Sequence, residues 1–334
     1  MSLDKRDSFD EPWPVRGTSV HSLSVLIPVY NSEAILSALL ERLEPVLREN
    51  ASAFELILVD DNSSDGSWAR IEELGRERDW VRGIRLMRNY GQHSALLCGA
   101  RAARHEIIVT MDDDLQHPPE ELPRLLAKLD EGHDVVYGTP LAEQHGLLRD
   151  MASRVTKFAL QSAMGAETAR NVSAYRVFRS EVREAMRSYR SQHVSIDVLL
   201  TWGTTRFAAV PVRHDPRTVG TSHYTFRKLV THALNMLTGY SSFPLQLASL
   251  SGFVFTLFGI GILAFVLIRY MLQGTQVPGF PFLASVIAIF SGAQLFALGI
   301  IGEYLARMHF RMMERPPYTV RSTLGPDQPP AASV

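Results

Sequence analysis

Over the first 140 residues, short apolar runs alternate with stretches of helical spacing. Leu23–Val29, Phe54–Val59, Gly83–Met87, Ile107–Met111 and Asp134–Tyr137 are short and rich in aliphatic and β-branched residues, which predicts buried strands. Between them, Glu33–Arg48, Trp68–Arg78, His93–Ala103 and Pro119–Asp130 carry apolar residues at helical intervals and predict helices. Strand–helix alternation of this kind predicts an α/β fold: a mostly parallel sheet with helices on both faces. Ligands of such sheets bind beyond the carboxyl ends of the strands.

The pattern changes in the last third of the chain. Leu247–Ile268 and Phe280–Gly302 contain no ionisable residue. At a rise of ~1.5 Å per residue, either run can cross a hydrocarbon core of ~30 Å. The connector, 269–279, holds Gly274, Pro278 and Gly279, so the two runs predict a transmembrane hairpin within 244–304. Arg227 and Lys228 precede it, and Arg307, Arg311 and Arg315 follow. The excess of basic residues places both chain ends on the cytoplasmic side. Ahead of the hairpin, Phe226, Leu229, Val230, Ala233, Leu234 and Leu237 form one apolar helical face, which predicts an amphipathic interfacial helix over 225–243. Residues 1–21 lack an apolar core and read as a disordered tail rather than a signal peptide. Residues 305–334 read as a cytoplasmic C-terminal tail, which leaves 22–224 for the α/β domain.

Composition narrows the choice of partner. Lys plus Arg number 34 against 35 Asp plus Glu. A balance so close to neutral offers no general attraction to nucleic acid, so charged ligands must be recognised locally. The single cysteine, Cys98, sits in an apolar helical run and reads as a small buried hydrophobe.

Polar clusters fall at three of the predicted strand ends. They are Pro28-Val29-Tyr30-Asn31, Asp60-Asp61-Asn62-Ser63-Ser64-Asp65-Gly66 and Asp112-Asp113-Asp114-Leu115-Gln116. In a parallel arrangement all three share one edge of the sheet. Three successive carboxylates repel one another and call for a cation. Asp112 and Asp114, alternating off an extended strand, would point the same way. Their hard oxygens suit Mg²⁺ or Mn²⁺, and Gln116 can add an amide oxygen. Asp60 and Asp61 can also be turn formers, and Tyr30 can stack on a base or merely pack at the rim.

These segments resemble family 2 glycosyltransferases of the GT-A, Rossmann-like fold. Arg88-Asn89-Tyr90-Gly91-Gln92-His93, Asp114-Leu115-Gln116-His117-Pro118-Pro119, Gly220-Thr221-Ser222-His223-Tyr224 and Gly302-Glu303-Tyr304 are more specifically similar to the polyprenyl-phosphate glycosyltransferases. The resemblance runs from about Ser22 to Tyr318. It implies that Pro28, Tyr30, Asn31, Glu33, Asp60, Asp61 and Asp112 serve the nucleotide. It implies that Asp112, Asp114 and Gln116 hold the metal and diphosphate, with Asp112, Asp113 and Asp114 as the catalytic cluster. Arg149, Ser153 and Arg217 match positions that grip the lipid phosphate; guanidinium groups bind phosphate bidentately. A homo-oligomer, a tetramer by resemblance, in the inner membrane is also implied. The chain departs from the family pattern at Ser32, at Ala174, at His223 and near Thr139.

The implied reaction is an inverting displacement. A polyprenyl phosphate of the undecaprenyl type attacks a nucleotide sugar, read as a UDP-sugar, and the nucleoside diphosphate leaves. The rivals are a membrane-tethered transferase acting on a glycan or protein hydroxyl, and an inactive nucleotide-sugar-binding scaffold.

Overall fold

The computed structural model describes residues 21–140, 171–191, 194–215, 243–273, 279–313 and 315–325. The predicted alternation is present: β1 (His21–Val29), α1 (Leu36–Asn50), β2 (Ala51–Asp60), α2 (Ser67–Glu77), β3 (Val81–Leu86), α3 (Gln92–Ala102), β4 (Ile107–Thr110), a 3-10 turn at Pro119–Glu121, α4 (Leu122–Asp130) and β5 (Val135–Pro140). Beyond these come β6 (Arg176–Arg179), the short α5 (Glu184–Arg187), α6 (Ile196–Gly203) and β7 (Phe207–Val212). Two long helices follow, α7 (Phe243–Gln273) and α8 (Phe280–Met312), and then β8 (Val320–Leu324).

The eight strands form one sheet in the order β7-β5-β6-β4-β1-β2-β3-β8. Pairings β1–β2, β1–β4, β2–β3 and β5–β7 are parallel. Two antiparallel strands depart from the simple alternation. β6 lies between β4 and β5, and β8 closes the β3 edge. The fifth strand therefore does not pair with the fourth. The segment expected as a C-terminal tail supplies β8 to the sheet.

The burial pattern explains why these strands sit at the centre. β1 and the end of β2 are apolar on successive residues, and Leu23, Val25, Leu26, Ile27, Leu56, Ile57 and Leu58 are fully buried. One apolar layer packs α1, α2 and α4 on one face, and a second packs α3 and α6 on the other. Cys98 belongs to the second layer and is 3% exposed; burial pushes its thiol up to about 12, so it is inert.

The chain divides into two compact units, 1–150 with 164–224 and 315–334, and 151–163 with 225–314. In the second unit, α7 and α8 are each long and apolar enough to cross a membrane, and the qualifying windows bury nothing. Leu250, Phe253, Phe258, Leu295 and Phe296 are exposed. A soluble core helix would bury such residues; a lipid-facing one would not. The two helices meet through Phe255 and Phe290, edge to face at 5.8 Å. Gly259 makes room for that ring, since a Cβ there would lie 3.1 Å from Phe290 Cζ.

Candidate active site

In the β1–β2 register Val29 is level with Asp60, and Leu26 is level with Thr110 of β4. The chains leaving β1, β2 and β4 therefore emerge side by side. Each turns on a residue in the left-handed region: Asn31 (φ 55°), Asn62 (φ 60°) and Leu115 (φ 57°). Asparagine tolerates that conformation; leucine does so at a cost of roughly 1–3 kcal/mol.

A crevice of about 250 Å³ opens at this edge. It is lined by Pro28, Val29, Tyr30, Asp61, Asn89, Gly91, Gln92, Asp112, Asp113 and Asp114. The structure thus brings together Pro28, Tyr30, Asp61 and the three aspartates, as the sequence led us to expect. Asn89, Gly91 and Gln92 complete the wall without having been assigned a role. Their signal was available, because they follow the third predicted strand on the same edge of the sheet.

The acidic turn differs from the expected extended strand end. β4 stops at Thr110, and Asp113 and Asp114 lie in a turn. Strand alternation therefore does not orient Asp112 and Asp114. Local bonds do so instead: Gln92 Nε2 donates to Asp112 Oδ1 at 2.6 Å, and the Gln116 N–H donates to Asp114 Oδ1 at 3.1 Å. Asp114 is buried, whereas Asp112 and Asp113 are half-buried. Burial raises the Asp113 carboxyl above its ordinary range, and the neighbouring Asp114 charge adds to this against a bond from Ser32.

Asp61 is 3% exposed, and both of its oxygens are engaged. Oδ1 accepts from the Tyr90 N–H and Oδ2 from the Gly91 N–H, each at 2.7 Å. Burial, with Asp60 beside it, still raises its carboxyl above the ordinary range. Its role in the wall is thus to hold the 88–92 loop in place. Asp60 is fully buried beneath the crevice: Oδ1 accepts from the Ser63 N–H at 3.0 Å. Its Oδ2 lies 3.3 Å from Arg85 Nε, a charge pair without hydrogen-bond alignment. Asn31 and Glu33 join neighbouring loops. Asn31 Oδ1 accepts from the Ser64 N–H at 2.8 Å. Glu33 Oε2 accepts from the Gly66 N–H at 3.0 Å, at the start of α2. Neither residue, nor Asp60, nor Gln116, lines the crevice.

A polar and aromatic support, buried at His117, Tyr175 and Glu121, stands behind the acidic turn. The Gln116 carbonyl accepts from the Asp215 N–H at 2.8 Å. The His117 ring packs against His214 and Tyr175 at 5.0 and 5.7 Å. Burial, with His214 alongside, lowers His117 to about 4, so its ring is neutral at pH 7. Glu121 is gripped by Arg213 at 2.8 Å and Arg124 at 2.9 Å. In the antiparallel insertion, Arg176 pairs with Asp197, which also accepts from the Tyr137 hydroxyl at 3.1 Å. Arg149, Ser153, Arg217, His223 and the amphipathic stretch 225–243 lie outside the described residues, apart from Phe243, which begins α7.

A mixed, mostly parallel α/β sheet with an acidic crevice at its strand ends defines a domain that binds its ligand at that edge. The glycosyl transferase family 2 model matches residues 24–187. Undecaprenyl-phosphate 4-deoxy-4-formamido-L-arabinose transferase of Proteus mirabilis (strain HI4320) is 34% identical, over 93% of this chain and 96% of that protein. The protein of the same description from Salmonella choleraesuis (strain SC-B67) is 33% identical over 93% and 96%. A solved structure, glucosyl-3-phosphoglycerate synthase from Mycobacterium tuberculosis in complex with Mn²⁺, UDP-glucose and phosphoglyceric acid, is 18% identical. It covers 65% of this chain and 78% of that one, at a TM-score of 0.46. With relatives this similar along nearly its whole length, the chain belongs to glycosyl transferase family 2 and is a glycosyltransferase.

Proposed function

We propose that this enzyme transfers a sugar from a nucleotide diphosphate sugar, a UDP-sugar, to a polyprenyl phosphate of the undecaprenyl type, with inversion at the anomeric carbon. The observation that carries the reading is the convergence of Asp61, Asn89 and Asp112–Asp114 on one crevice, in a chain similar end to end to undecaprenyl-phosphate sugar transferases. Pro28 and Tyr30 would flank the base. Asn31, Glu33, Asp60 and Asp61 would support that pocket through the loops they hold.

Asp112 and Asp114, with Gln116, would hold Mg²⁺ or Mn²⁺. Among the described residues no three His, Cys, Asp or Glu side chains form a ready-made cage. That fits a hard cation taking one or two carboxylates and completing its shell with phosphate oxygens and water. When bound, the cation supplies neutralisation of the charge developing on the leaving diphosphate. Gln92 would keep Asp112 aimed inward, and the bond to the Gln116 N–H would hold Asp114. The acceptor phosphate, with a second pKa near ~6, is already anionic at neutral pH. A strong general base is then less necessary, and if one is used, Asp113 or Asp112 would serve. Arg149, Ser153 and Arg217 would grip the acceptor phosphate.

We further propose that α7 and α8 form a hairpin in the inner membrane, with the catalytic unit and both termini on the cytoplasmic face. The basic residues on both sides of the hairpin support this. A homo-oligomer, a tetramer by resemblance, would add membrane grip.

The test is a panel of labelled nucleotide sugars incubated with full-length protein, Mn²⁺ and undecaprenyl phosphate. Lipid-linked product from the native enzyme, lost in Asp114→Ala, is expected. Near-normal turnover by Asp114→Ala would overturn the metal assignment. Donor binding without lipid product would point to a scaffold, and product only on hydroxyl acceptors to a tethered transferase.

A further inference from the structure

The β8 strand joins the sheet only after the chain has passed through both long helices. It pairs antiparallel with β3, Gly83 opposite Leu324 and Leu86 opposite Val320, with an irregularity at Arg85/Leu86. The ladder ends on a bond from the Met87 N–H to the Thr319 carbonyl at 2.9 Å. The next residue, Arg88, begins the loop whose Asn89, Gly91 and Gln92 line the crevice.

The same segment also packs on the helix that continues that loop. Tyr318 packs into the apolar layer under α3, the helix that Gln92 opens. Its hydroxyl contacts Cys98 and lies 3.5 Å from Arg101 Nη1. The Arg101 guanidinium stands over the Tyr318 ring at 5.7 Å and donates to the Met186 and Tyr189 carbonyls at 2.7 Å. The end of β3, on one flank of the 88–92 loop, and the later turns of α3, beyond its other flank, are therefore tied to Tyr318–Val320. Its middle is tied to Asp61. A loop held at its centre and set between two anchored elements is pre-organised, and pre-organisation is read as affinity.

We propose that Tyr318–Val320 is a positioning strap for the donor pocket: it sets the Asn89–Gln92 wall, so nucleotide binding depends on a segment the chain reaches only after its hairpin. This rests on the nucleotide reading of the crevice. The other end of β8 is a control within the same strand. Leu324 fills notches at Gly75 and Gly83, where a Cβ would meet its side chain at 2.5 and 3.4 Å. That contact is remote from the loop along β3 and supports stability alone.

The experiment uses the full-length protein in detergent, titrated calorimetrically with UDP in the presence of Mn²⁺, with thermal unfolding of the same samples. Tyr318→Ala should weaken UDP about tenfold, and Tyr318→Phe, which keeps the ring over Arg101, should stay within about twofold of the native protein. Leu324→Ala should lower the unfolding midpoint and leave UDP affinity unchanged. Should Tyr318→Ala not fold, Tyr318→Leu carries the same comparison. Unchanged UDP affinity without the Tyr318 ring overturns the strap, as does equal weakening by Leu324→Ala. A native protein that binds neither UDP nor GDP would instead overturn the nucleotide reading.

Discussion

Replacing Asp61 with asparagine isolates what holds the crevice wall. The carboxylate accepts two backbone N–H bonds at 2.7 Å, one on each oxygen, in a nearly solvent-free position. Asparagine is almost isosteric but retains a single acceptor. Its amide nitrogen would face either the Tyr90 or the Gly91 N–H, donor against donor. A bond to a charged acceptor contributes about 1.5–3 kcal/mol, and a buried N–H left without a partner costs about 1–3 kcal/mol. The second bond survives in weaker, neutral form, so a net loss of about 2–3 kcal/mol in loop order is expected. If the loop must be ordered to bind, that is roughly a 30- to 150-fold rise in Kd. Calorimetric titration of Asp61→Asn with UDP and Mn²⁺ measures it directly. The sheet beneath is untouched, so most of the secondary structure should persist. A Kd within about twofold of the native value would refute the claim that these bonds organise the pocket.

Two further outcomes follow from buried charges outside the crevice. Arg176→Met leaves Asp197 buried, with the Tyr137 hydroxyl but without its cation, and should cost about 3–5 kcal/mol of unfolding free energy. The double variant Arg176→Met/Asp197→Leu should recover much of it, and equal losses in both would contradict this account. Glu55 is buried; burial alone would raise its carboxyl, but Ser24, Arg82 and the Arg104 N–H together hold it below the ordinary glutamate value. A lowered folded pKa adds stability above the ordinary value that is lost as pH falls through the folded one. The gap in thermal midpoint between the native protein and Glu55→Gln should therefore be widest near neutral pH and close on acidification. A gap independent of pH would show that Glu55 acts through packing alone.

Much of this was legible in one dimension. Burial in a parallel sheet demands uninterrupted apolar runs, so Leu23–Val29 and Phe54–Val59 announced themselves. The α/β crossover rule then placed Tyr30, Asp61 and Asp112–Asp114 on one edge. The absence of charge in 247–268 and 280–302 marked both long helices. Asn31 and Asn62 were readable as turn residues, because asparagine accepts a left-handed backbone. Leu115 was not: nothing in a leucine signals φ 57°, and only the packing around the acidic turn imposes it.

What the sequence determined by itself is whatever depends on neighbours within a few residues: periodicity, turn chemistry, and which polar clusters end which strands. The tertiary structure decided everything that depends on pairing across the chain. β6 enters between β4 and β5, and β8 returns from beyond the hairpin to the β3 edge; no local period encodes either pairing. The same holds for Asp61. Its place at the crevice follows from the strand it succeeds, but its two bonds to Tyr90 and Gly91 exist only because the sheet sets the ends of β2 and β3 side by side.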